Sequence, residues 1–110
     1  MNINNEKGNS INRKKIAMDF TSSLDFPEIK KIILFGSVAR NEDRDESDID
    51  IFILTTDEDR ISDKLYYKVA EVIIALEELI SLKIVTLEEY ETIKSTPFIT
   101  TIMEEGIVLG

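Results

Sequence analysis

The sequence contains neither cysteine nor histidine. The first absence excludes disulfides, thiolate nucleophiles and cysteine-ligated zinc. The second removes imidazole metal sites and the commonest general base. Any acid–base or metal chemistry must therefore rest on carboxylates, hydroxyls, lysine or tyrosine. No apolar run is long enough to span a membrane, and the Asn-rich start (MNINNEKGNS) lacks the apolar core of a secretory signal. The expectation is a cytoplasmic protein without membrane contact. Basic residues are outnumbered 13 to 22, and the formal charge of −9 opposes a DNA or RNA duplex as partner, because phosphate binding demands basic patches. It does not oppose a nucleotide delivered with a divalent cation, and it suits a basic protein partner.

What is present describes one domain. A chain of 110 residues with 43% apolar content can bury a core but has no room for separate catalytic and substrate domains. Residues 1–10 are polar and aperiodic and read as a disordered tail, leaving 11–110 as the domain. Ile16, Phe20 and Leu24 recur every four residues, predicting a first helix over Ile11–Leu24 that Pro27 prevents from continuing. Ile29–Phe35 (IKKIILF) reads as a buried strand. Ser37 is positioned to cap a short helix through Arg40, and Asn41–Ser47 is a charged loop before a second strand over Ile49–Leu54. Ile61, Leu65, Val69, Ile73, Leu76 and Ile80 give the strongest helical pattern. A third strand is expected at Leu82–Thr86, a capping box at Thr86–Glu89, a last helix over Phe98–Glu105 and a closing strand at Ile107–Leu109. The alternation of helices and strands gives a two-layer α/β fold.

The candidate site lies between the first two strands. Residues two apart in a strand share a face, so Asp48 and Asp50 project together while Ile49, Ile51 and Ile53 point to the core. At about 3.3 Å per residue their α-carbons are roughly 6.6 Å apart, within reach of one cation. Mg²⁺ prefers oxygen ligands and keeps coordination positions for substrate phosphates. Gly36 lets the backbone approach a ligand closely, and the Ser37 hydroxyl with the amides that follow suits an anion. Singly, a Gly-Ser is usually a turn, an acidic run is a solvated loop, and Asp-x-Asp is surface decoration. Jointly and in this order, they describe a site for a metal-bridged triphosphate, where in-line attack needs positioning and charge neutralisation more than it needs histidine.

Gly36-Ser37, ten residues, then Asp48-Ile49-Asp50 resembles the signature of the DNA polymerase β-like nucleotidyltransferase superfamily. The fuller string GSVARNEDRDESDIDIFI is similar to the minimal nucleotidyltransferases, or MNT proteins, with the likeness covering Ile29 to Leu109. The resemblance implies a nucleotidyltransferase-type fold with a small mixed sheet and helices packed on one face. It implies Mg²⁺ on Asp48 and Asp50, and ATP as substrate with its phosphates at Gly36 and Ser37; Arg40 is expected to help neutralise them. It also implies the antitoxin half of a pair whose toxin is a HEPN-domain ribonuclease, silenced by transfer of AMP to one of its tyrosines. Homo-oligomerisation is left open.

Two departures from the family pattern stand out. Asn41 occupies a position where a glycine is common; asparagine tolerates unusual backbone angles. Lys83, in Leu82-Lys83-Ile84-Val85, stands where active members usually carry a third carboxylate. A charged lysine can neither ligate a metal nor accept a proton. The first reading is thus an adenylyl-transferring enzyme, and the alternative is a catalytically degenerate domain that restrains its toxin by binding alone. Lys83 divides them.

Overall fold

Alternating β-branched runs and one long amphipathic helix dictate the framework seen in the computed structural model, which describes residues 6–110, with side chains from Ile11 onward. The elements are α1 (Glu6–Ser22), β1 (Ile29–Phe35), α2 (Gly36–Ala39), β2 (Ile49–Thr55), α3 (Glu58–Leu76), β3 (Ile80–Thr86), α4 (Leu87–Ile93), α5 (Pro97–Glu105) and β4 (Ile107–Val108). They form a single mixed sheet in the order β3-β2-β1-β4. β1 runs antiparallel to both β2 and β4, whereas β2 and β3 are parallel, joined by α3 as a βαβ crossover.

β2 (IDIFILT) is central, and all its residues except Asp50 are buried. Ile49, Ile51 and Ile53 face one side with Ile32 and Leu34 of β1, where Ala17 and Phe20 of α1 and Ile61, Leu65 and Val69 of α3 cover them. Phe52 and Leu54 face the other side with Ile33 and Val85, beneath Ile99 and Ile102 of α5 and partly beneath Tyr90 and Ile93 of α4. The two long helices form the expected layer. The short C-terminal helices add cover on the opposite face, a correction to the expectation of helices on one face alone. The reason is β2 itself: a strand apolar on both faces must be covered on both.

Helix boundaries follow local chemistry. α1 begins at Glu6 rather than Ile11, because its first turns carry no apolar period from which a helix could be read; residues 1–5 lie outside the described residues. α3 is capped by Asp57, whose carboxylate accepts from the Arg60 amide (3.2 Å). It ends at Leu76, not Ile80, since Glu77 takes a left-handed conformation (φ 56°) and donates its amide to the Ile73 carbonyl. Ile80 continues the spacing by coincidence and opens β3. The capping box at Thr86 is formed: Thr86 Oγ1 accepts from the Glu89 amide (3.0 Å) and Glu89 Oε1 from the Thr86 amide (2.9 Å). Among the described residues no helix is long and apolar enough to cross a membrane.

Candidate functional site

The close approach of one glycine to one aspartate organises the site. Phe35, the last residue of β1, pairs across the sheet with Asp50 of β2. The next residue, Gly36, turns the chain into α2 with φ +77°, and a Cβ there would collide with the Asp50 carboxylate. Only glycine meets both demands, left-handed backbone and no side chain. Asp48 lies one residue before β2 and shares the parity of Asp50. Burial first, and the negative charge of Asp48 second, push the Asp50 carboxyl above the ordinary carboxylate range, while the Arg40 charge partly opposes them. The pair is thus a half-buried, electrostatically unbalanced couple.

Ser37 is not the helix cap. Phe35 is the N-cap residue and provides no side-chain hydrogen bond, so Ser37 falls on the second residue of α2. Arg40 follows α2, exposed, its Nε donating to Glu42 Oε1 at 2.9 Å. Asn41 adopts φ 60°, the left-handed region a glycine would take, and its side-chain oxygen accepts from Lys14 Nζ (2.7 Å). The structure therefore brings Gly36, Asp48 and Asp50 together, with Ser37 adjacent in the chain and Arg40 near enough to act on Asp50 through its charge.

The acidic loop is not simply solvated. Arg13, projecting from α1 and 4% exposed, runs beneath it. Nη1 donates to Asp43 Oδ2 (2.8 Å) and the Arg44 carbonyl (2.6 Å), Nη2 to the Asp45 carbonyl (2.8 Å), and Nε to Glu78 Oε1 (2.9 Å). Asp43 is wholly buried. Burial opposes the guanidinium charge, but hydrogen bonds to Asp43 and Glu78 outweigh it, and the Arg13 pKa lies above its ordinary value. The arginine thereby fastens the loop that joins the Gly36 turn to Asp48. Nothing in the sequence pattern singles it out, since a lone arginine on a polar helix normally reads as surface.

At the third strand, Asp50 pairs with Ser81 and Phe52 with Lys83. Lys83 therefore shares the Asp50 face two residues further along β3, and neither it nor Ser81 supplies a carboxylate. Glu78 is engaged by Arg13, and Glu77 caps α3. Among the described residues no cluster of three or more acidic side chains could enclose a metal ion. Two half-buried carboxylates still fit Mg²⁺, which is commonly held by one or two carboxylates plus substrate phosphates. The unbalanced charge at Asp50 is what a cation would relieve.

Comparison with known proteins bears on the family and the fold. Residues 15–110 match the family model "Polymerase beta, Nucleotidyltransferase". The chain is 38% identical over 109 residues to the Methanocaldococcus jannaschii protein named "Putative protein adenylyltransferase MJ0604", covering 90% of this chain and 99% of that one. A crystal structure of a nucleotidyltransferase, named as putative, from Sulfolobus solfataricus superposes with TM-score 0.58 at 19% identity, covering 98% of this chain and 89% of the other. A toxin–antitoxin crystal structure with AMP-PNP gives TM-score 0.55 at 24% identity, covering 90% and 73%. At these identities the two structures speak for the fold; the family model and the archaeal relative carry the assignment. With the match running from the second half of α1 through the end of the sheet, the chain belongs to the polymerase β nucleotidyltransferase family.

Proposed function

We propose that this protein transfers the adenylyl group of ATP to a hydroxyl on a partner protein, a HEPN-type toxin, which it thereby silences. The observation that carries the proposal is the packing of Gly36 against the Asp50 carboxylate, with Asp48 beside it. An open backbone turn and two carboxylates at one point suit a nucleoside triphosphate arriving with its cation. Asp48 and Asp50 would hold Mg²⁺, which when bound neutralises phosphate charge and polarises the α-phosphorus. The Gly36 turn and Ser37 orient the phosphates, and Arg40 offsets their charge. The acceptor oxygen attacks the α-phosphorus in line, the bond to the bridging oxygen breaks, and pyrophosphate leaves. The hydroxyl proton passes to solvent, since among the described residues no third carboxylate joins Asp48 and Asp50. The archaeal relative's name and the AMP-PNP of the toxin–antitoxin structure support this choice of chemistry and context. A net charge of −9 favours a basic partner.

The test uses purified protein, Mg²⁺ and a lysate of the source organism, comparing α-³²P-ATP with γ-³²P-ATP. Label from the α-position on a discrete band, lost in Asp48→Asn/Asp50→Asn, is the expected result. The second reading, a toxin-binding domain without transfer, is favoured by Lys83 on the third strand. It predicts no label, together with stable capture of a HEPN-type protein.

A further inference from the structure

A cleft of about 240 Å³ opens beside the Gly36 turn, on the same face of the sheet as Asp50. Phe35 and Gly36 form one wall and share it with the site; Arg40 stands at its edge, and Phe98, Thr101 and Glu105 of α5 close the far side. Because Phe35 pairs directly with Asp50, their side chains project to the same side, and Phe35 and Gly36 are shared by the cleft and the turn. Its size decides among occupants. Pockets that bury whole drug-sized ligands run to about 300–1,000 Å³, so this one takes a planar heterocycle but not an entire nucleotide.

Its walls fit the same chemistry. The rings of Phe35 and Phe98 stand perpendicular (84°) with centroids 5.9 Å apart, forming a corner that receives both the face and the edge of a flat aromatic ligand. Phe98 is 52% exposed, an aromatic left open to solvent at the mouth of an otherwise apolar cleft. Thr101 and Glu105, both among the lining residues, carry acceptors suited to an exocyclic amine.

We infer that the cleft between α2 and α5 holds the nucleobase of the triphosphate whose phosphates lie at Gly36 and Ser37, with Phe98 as its stacking platform and Glu105 selecting an amino-bearing base. The inference rests on the phosphate site proposed above and adds a second, separable subsite. Base–aromatic stacking is worth about 1–3 kcal/mol per base, which makes loss of Phe98 a fivefold or larger effect.

The experiment is calorimetric titration of the full chain, with Mg²⁺, using ATP, UTP and inorganic tripolyphosphate. Two variants accompany the parent protein: Phe98→Ala, and Thr101→Trp, which fills the cleft from an exposed helical position. Circular dichroism establishes that each is folded. Expected are ATP bound more tightly than UTP, at least about fivefold weaker ATP binding in both variants, and unchanged tripolyphosphate binding. Unchanged ATP affinity in folded Thr101→Trp would overturn the base subsite while leaving the phosphate site standing. Failure of the parent protein to bind either ATP or tripolyphosphate would overturn the phosphate site, and this inference with it.

Discussion

Replacing Arg13 with methionine tests whether the acidic loop is held from below. The substitution keeps the length of the aliphatic stem but removes four donor contacts: to Asp43, Glu78 and the carbonyls of Arg44 and Asp45. Asp43, fully buried, is left as a carboxylate without its guanidinium. Removing one partner of a buried ion pair costs about 3–5 kcal/mol, because the remaining charge stays in a medium that solvates it poorly. A domain of this size has a total stability of roughly 5–15 kcal/mol, so the variant sits near the threshold of folding. In urea titration, with a slope of about 1–3 kcal/mol per molar, the midpoint should drop by on the order of 2 M. Arg13→Lys should recover little, since a single ammonium cannot reproduce the fork that spans both carboxylates and both carbonyls. Changing Asp43 to leucine in the Arg13→Met background should return part of the loss, as apolar replacement of both members of the ion pair removes the buried charge. A destabilisation below about 1 kcal/mol for Arg13→Met would refute the reasoning and mark the contacts as no more than a surface ion pair.

Two further outcomes follow from the site. The Asp50 carboxyl is held above its unfolded value by burial and by Asp48, so the native state binds the extra proton. Its contribution is fully present below the unfolded pKa and is lost as pH rises through the raised folded value. Asp50→Asn, which cannot ionise, should therefore be more stable than the parent at pH 7 in EDTA, with the gap closing toward pH 4, as read from melting temperatures; equal gaps at both pH values would contradict the assignment. Lys83→Asp restores a carboxylate to the Asp50 face of β3. If proton removal from the acceptor limits transfer, α-³²P labelling of the acceptor should rise by about a hundredfold, the lower end of the range for a positioned general base; an unchanged rate would show that Lys83 does not set the limit.

Much of the site was legible because it is local. Gly36, Ser37, Asp48 and Asp50 fall within one strand–turn–strand segment, and period-two alternation fixes which residues share the Asp50 face. The αL conformation at Asn41 was readable for the same reason, since asparagine is one of few residues that adopts it cheaply. Ser37 as a cap was a misreading, because Phe35 already occupies the N-cap position where the strand ends. The end of α3 was placed too late because Ile80, spaced as a helical residue, belongs to the next strand. Periodicity reports which residues share a face without recording that the backbone has changed direction at Glu77.

What the sequence determined by itself is the set of amphipathic pieces, the capping box at Thr86, and a glycine and two aspartates at a spacing that suits a metal-bound triphosphate. What only the tertiary structure decided is which pieces meet. The pairing of Phe35 with Asp50 seats the carboxylate against Gly36; the burial of Arg13 ties α1 to a loop some 30 residues later in the chain; and α5 comes back across the sheet to face α2 and enclose the cleft. Each depends on contacts between residues far apart in sequence. Such contacts are fixed by how all the apolar faces are covered at once, and no local pattern carries that information.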